Sequence, residues 1–279
     1  MHKGKKVFAK ANNQRHKTPA HIARLLVAKI ARRFSDLSFI IVGDQGFGQH
    51  ASAKAFSGSK LTLASKFYRD AILHEAAKPK ELGQMGRPRI KGKRIKRPIT
   101  VVSESEPKEA IVSWYGGKSR NVGLISGTGL WYRAAKGVVK VRWVYVQDRS
   151  GTHREEYLYS TDVNLTPEQI VSLYTSRWAI EVTFQECKEH LRLEKTRVWC
   201  KNSVLTLVPI IFGFYSVIVV FYHQHRGSLS KFNTTTWWPQ KTLYHILRYA
   251  LEHSYLSVEA APIFKQASIH APVDIQIKT

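Results

Sequence analysis

The clearest periodic stretch of the chain runs from Thr166 to Leu191, TPEQIVSLYTSRWAIEVTFQECKEHL. Its apolar residues recur at helical spacing, with Val171, Trp178 and Val182 on one side and Leu173, Ile180, Phe184 and Leu191 on the other. Thr166 is a suitable N-cap, Pro167 fits the first helical position, and Gln169 completes a capping box. Neither Gly nor Pro follows before Leu191, so the pattern predicts one long helix from Pro167 to about Leu191. At about 100° per residue, Tyr174, Arg177, Glu181 and Lys188 share a wedge about 60° wide between the two apolar stripes. A charged wedge between buried stripes suits the floor of a cleft. It also suits a surface helix with ion pairs such as Arg177 to Glu181.

Upstream, Thr18-Pro19 opens a helical pattern that runs to about Phe34, its basic residues facing phosphate or solvent. Ser38 to Gly43 is a continuous apolar run, expected as a strand buried on both faces of a mostly parallel sheet, and it ends at Asp44. An acid at the carboxyl end of a buried strand sits where open α/β sheets place their chemistry. A turn or helix-capping Asp is the structural alternative. A short helix near Ala51 to Phe56 and a strand over Lys60 to Ser65 follow. Between 67 and 165 the pattern turns to β, with runs at Ala110–Tyr115, Gly123–Tyr132, Val138–Gln147 and Glu155–Ser160. Val138 to Val146 alternates in part, as a half-exposed strand does. Trp114, Trp131 and Trp143 lie in this region, suited to core packing or to stacking on an unpaired base. Val204 to Tyr222 is uncharged over nineteen residues and long enough for a membrane span. Interruption by Pro209 and Gly213, and dilution by Ser, Thr and Tyr, favour instead a buried helix packed on the sheet.

Charge changes this picture. Lys and Arg number 44 against 20 acids, a net charge of +24, which implies a polyanionic partner, with nucleic acid favoured over an anionic membrane. The first 33 residues carry ten Lys or Arg and no acid. Residues 86–97 hold seven cations in twelve positions, including Arg87, Arg89, Lys91, Lys93 and Arg94. Gly and Pro keep that segment extended, so it serves as a solvated loop or lies along a DNA backbone. Cys187 and Cys200 have no CxxC spacing, which argues against a disulfide scaffold or zinc ribbon. His223 and His225, two residues apart with no third ligand, are a weak metal signal. The first residues lead into no apolar core, so no signal peptide is expected.

Tyr174-x2-Arg177-x3-Glu181-x6-Lys188 resembles the Y-x2-R-x3-E-x6-K signature of bacterial cut-and-paste DDE transposases of the insertion-sequence type. Trp178 after the Arg and Ile180 before the Glu strengthen the match, and Ile41-Val-Gly-Asp44-Gln-Gly-Phe47 resembles the family segment bearing the second catalytic Asp. The resemblance covers roughly residues 10 to 250. It implies that Asp44 and Glu181 are catalytic, metal-ligating carboxylates of a site for two Mg²⁺ or Mn²⁺ ions. It also implies that Tyr174, Arg177 and Lys188 contact transposon-end DNA, with an aromatic of the β-rich region, Trp143, near the DNA end.

The family's first acid precedes the second on the first strand. Only Asp36 precedes Asp44 here, in a helix-to-strand turn, and it is not assigned. The expected fold is therefore α/β, a partial RNase H-like domain with its early strands missing. A β-rich insertion lies between the second acid and the Glu-bearing helix. The expected organisation is 1–66, basic arm and first part of the core; 67–165, basic loop and insertion; 166–260, the C-terminal part of the core; and 261–279, a tail. The implied function is metal-dependent DNA strand cleavage and transfer in transposition, completed by a further segment. The implied setting is the bacterial cytoplasm and nucleoid, off the membrane, with a homodimer in the DNA complex. The alternative is a catalytically dead DNA-binding remnant that inhibits transposition.

Overall fold

A computed structural model of the chain describes residues 16–58, 60–79, 85–194 and 200–229. The basic arm before residue 16, the segment expected to close the fold near 236–255 and the side chains of His223 and His225 lie outside these residues. The chain divides into two compact units, Met1–Ala179 and Ile180–Thr279.

In the first unit, α1 (Pro19–Arg33) starts where Thr18 Oγ1 accepts from the His21 amide and Pro19 takes the first turn. Next come β1 (Phe39–Gly43), α2 (His50–Ala55), β2 (Leu61–Lys66) and the short β3 (Leu73–His74). After α3 (Pro98–Ser103), β4 (Lys108–Ser113), β5 (Ser119–Arg133), β6 (Gly137–Asp148) and β7 (Glu156–Ser160) complete a seven-stranded sheet. Its order is β1-β2-β7-β6-β5-β3, with β4 also paired to β5. The β-rich region is therefore no separate layer: β7 pairs with β2 and continues the sheet that carries Asp44.

The sheet is mixed rather than mostly parallel, because only β1 and β2 run parallel and every other pair is antiparallel. β1 lies at its edge and not at its centre, and Ile40 is 50% exposed there. A short β1 with one neighbour cannot bury both faces.

The central strand is β6, which alternates its side chains between two cores. On one face Val139, Val141, Trp143 and Tyr145 pack with Leu63, Tyr159 and the α2 residues Ala53 and Phe56. On the other, Val144 and Val146 pack with Val122, Leu158 and α4 (Pro167–Ser176) through Ile170, Val171 and Tyr174. The expected half-exposed character of β6 holds only around Lys140 and Arg142; from Trp143 to Val146 both faces are buried.

The long helix expected from Pro167 to Leu191 is two helices, α4 and α5 (Ala179–Glu189), separated by Arg177 and Trp178. The capping box at Thr166 and Gln169 forms as expected. The break has a local cause. Ser176 Oγ donates to the Leu173 carbonyl at 2.6 Å, the acceptor that a continuous α-helix gives to the Arg177 amide. The Arg177 and Trp178 amides turn instead to Tyr174 and Thr175, three residues back, at 3.2 and 3.1 Å. The 100° phase therefore holds within each helix, with Tyr174 in α4 and Glu181 and Lys188 in α5.

In the second unit, α5 is followed by α6 (Lys201–Leu229), and the Phe184 and Phe212 rings meet edge to face at 5.2 Å. Cys187 is buried, and Lys188 pairs with Glu194 at 2.5 Å. Pro209 lies inside α6 without ending it, so the expected interruption does not occur. Nor is α6 the buried helix that was expected. Ile211 and Ile218 are covered, whereas Leu205, Ile210 and Val220 are more than half exposed. Lys201–Val220 is long and apolar enough to cross a membrane by length and composition.

Candidate functional site

Strand directions bring a set of polar side chains to one end of the sheet. The carboxyl ends of β1 and β2, the start of β7, the end of β6 and the start of β5 all lie there. They carry Asp44, Lys66, Glu156, Asp148 and Arg120 respectively.

Asp44 leaves β1 into a tight turn, Asp44-Gln-Gly-Phe-Gly48. Its Oδ1 accepts from the Gly46 amide at 2.9 Å and the Phe47 amide at 3.3 Å. Its carbonyl accepts from the Gly48 amide at 2.9 Å and from Ser65 Oγ at 2.8 Å. Tyr159 OH, fully buried, donates to the Gly48 carbonyl at 2.8 Å. Asp44 thus caps its own turn, as the structural alternative expected, and is an exposed carboxylate at the end of an edge strand rather than of one buried on both faces.

Tyr174, on the last turn of α4, is 2% exposed and lies within electrostatic reach of Asp44 and Glu156. Arg177 hydrogen-bonds its side chain and sits 5.8 Å from the ring centroid, and Lys66 Nζ lies 5.9 Å from it. Burial, then the Glu156 carboxylate, pushes the Tyr174 phenol up to about 12, against the opposing pull of Arg177. It remains a hydrogen-bond donor throughout the neutral range. Glu156 itself is held by Lys66 at 2.5 Å.

Beside Tyr174 a small notch of about 50 Å³ is walled by Trp114, Tyr115, His153, Glu156 and Asp148. Asp148 organises its rim. The carboxylate is 1% exposed and accepts from the Ser150, Thr152 and His153 amides, the Ser150 and Thr152 hydroxyls and Arg120. Burial pushes this carboxyl up, but the bonds from Ser150, His153 and Thr152 outweigh it and bring it down to about 2.

The structure thus brings Asp44, Tyr174 and Arg177 to one sheet end. Glu181 and Lys188 belong to the second unit. Of the basic segment, Arg87, Arg89, Lys93 and Arg94 are exposed. Lys91 is not equivalent to them. It is half-buried, 3.2 Å from His74 Nε2 and 3.8 Å from the centre of the Tyr132 ring. Residues 92–95 pair with β3, the Ile95 amide donating to Leu73 O at 3.0 Å. Trp143 corrects an expectation: it is 2% exposed, and its indole covers Gly127, where an added Cβ would come within 2.9 Å. A ring covered on both sides has no face left for a base. The rim residues Lys66, Arg120, Asp148, His153 and Glu156 were missed from sequence. The one local signal was Asp148-Arg-Ser-Gly-Thr-His153 between two β runs, an Asp-headed turn.

Among the described residues no three His, Cys, Asp or Glu side chains gather closely enough to hold a metal ion.

A sequence model of the transposase DDE domain matches residues 7–215, about three quarters of the chain. No curated protein matches in sequence. Among solved structures, the piggyBac transposase synaptic complex with hairpin DNA aligns at 10% identity and a TM-score of 0.39. The alignment covers 95% of this chain and 48% of that one, so the chain spans about half that protein's length. On the family match, with a mixed α/β sheet that carries Asp44 at a strand end, the chain belongs to the DDE transposase family.

Proposed function

We propose that this transposase chain binds transposon-end DNA at the sheet end formed by Asp44, Tyr174 and Arg177. The observation that carries the reading is the exposed Asp44 carboxylate at the same sheet end as the partly exposed Arg177, in a chain of charge +24. Tyr174, 2% exposed like Trp143, offers DNA no ring face and instead holds Arg177 from behind. Lys188 and the exposed Arg87, Arg89, Lys93 and Arg94 extend the DNA contact, as cations that displace counterions from phosphates. Asp44 and Glu181 are two carboxylates for divalent Mg²⁺ or Mn²⁺. Bound ions would supply the polarising charge for strand cleavage. The chain acts as a homodimer on paired ends, in the bacterial nucleoid and off the membrane.

The test is binding of the purified chain to end DNA and to shuffled DNA, followed by a nicking assay in Mg²⁺ and Mn²⁺. The reading expects preference for end DNA, and about tenfold weaker binding for Arg177→Ala. Failure to bind DNA at low salt would overturn it. A second reading is a DNA-binding remnant that inhibits an intact transposase. Binding without nicking in either ion would select that one.

A further inference from the structure

We propose that His153 is a further DNA contact of this site, an imidazole that donates its Nε2–H to a phosphate oxygen of a strand lying across the notch. The inference rests on the DNA-binding reading above. Arg120 carries only donors, and its Nη1 lies 2.7 Å from His153 Nδ1. Nδ1 also lies 3.0 Å from Thr152 Oγ1 and 3.7 Å from Asp148 Oδ2. Arg120, the nearest of the three, can only donate to it, and with Nδ1 accepting the ring proton falls on Nε2. Every other freedom of the residue is taken up as well. Its amide donates to Asp148 Oδ2 at 2.9 Å, its ring stacks on Tyr115 at 5.6 Å and 16°, and Trp114 meets it edge-on at 5.4 Å.

Arg120 in turn is held by the buried Asp148 at 3.3 Å and lies over the Trp114 ring at 5.4 Å. A loop that only needed packing would not require the imidazole's tautomer to be set. Yet the His153 side chain is 43% exposed, on the rim of the notch that Tyr174 lines. The rim also carries Arg154, and its two carboxylates, Asp148 and Glu156, are paired with Arg120 and Lys66, so a partly exposed ring N–H there suits an anionic oxygen; phosphates take most protein–DNA hydrogen bonds.

Two substitutions separate the donor from the packing. His153→Phe keeps a ring to stack on Tyr115 and removes the N–H; His153→Gln keeps a donor. The expected result is end-DNA binding about tenfold weaker for His153→Phe and within about threefold of wild type for His153→Gln, with melting temperatures unchanged. Neither substitution removes a Lys or Arg, so the salt slope those cations set should carry over to both variants. Nitrogen-15 shifts of the imidazole in the DNA-free chain should report the Nε2–H tautomer. Undiminished binding by His153→Phe, or a ring proton on Nδ1, overturns the His153 contact and leaves the DNA-binding reading intact. A wild-type chain that fails to bind DNA overturns both.

Discussion

Gly48 decides where Asp44 is held. A Cβ there would come within 2.0 Å of Ser65 Oγ and 2.7 Å of Ser65 Cβ, so the turn after Asp44 can lie on β2 only with a glycine at this position. Gly48→Ala should therefore cost about 2 kcal/mol in urea denaturation, whereas Gly58→Ala, in open space, should cost less than about 0.5 kcal/mol. Asp148 sets a pH dependence. Its folded pKa, about 2, lies below the ordinary 3.8, so its contribution to stability is full above about pH 4 and is lost as pH falls towards 2. Melting temperature should fall more steeply over that window for the wild type than for Asp148→Asn, which lacks the titrating group. At this scale the sequence marked Asp44, because a strand ending in an acid is a local pattern. It did not mark Asp148 or separate Trp143 from a DNA contact, since both depend on what packs against them from distant strands.

Among the elements, the basic segment 86–97 divides by what holds each cation. Arg87, Arg89, Lys93 and Arg94 are exposed, and replacing all four with Gln should lower the salt slope of DNA binding by roughly 3 to 4. Lys91→Gln should leave the slope nearly unchanged and lower stability instead, because Lys91 is tied to His74 and Tyr132. The open edge of β1 makes a separate prediction. With Ile40 half exposed on a strand that, among the described residues, is paired along one edge only, Ile40→Lys should reduce self-association in light scattering at unchanged melting temperature. The caps of α1 and α4 were legible from Thr-Pro pairs because capping is decided within four residues. The break at Arg177 was not, because two hydroxyls compete there for carbonyls that a periodicity count assigns to the helix.

For the whole molecule, charge and the apolar α6 pull in different directions. The surplus of +24 favours a polyanionic partner, and the proposed DNA role expects the chain to leave DNA as salt rises towards 1 M. The exposed Leu205, Ile210 and Val220 expect association through α6. If α6 meets protein rather than lipid, the expressed chain should be recovered from the soluble fraction in high salt without detergent. Recovery from membranes alone would point to lipid.

Taken by itself, the sequence determined the basic character, the capped helices and the strand ending in Asp44, and its resemblance pointed to the transposase family that the domain match shows. Each of these is written in neighbouring residues or in a count. Only the tertiary structure decided that the sheet is mostly antiparallel with β1 at its edge, that Trp143 is core, and that Lys66, Arg120, Asp148, His153 and Glu156 frame the end where Asp44 emerges. Strand order and register are set by contacts between residues far apart in the chain, and no local pattern encodes which distant strand a given one will choose.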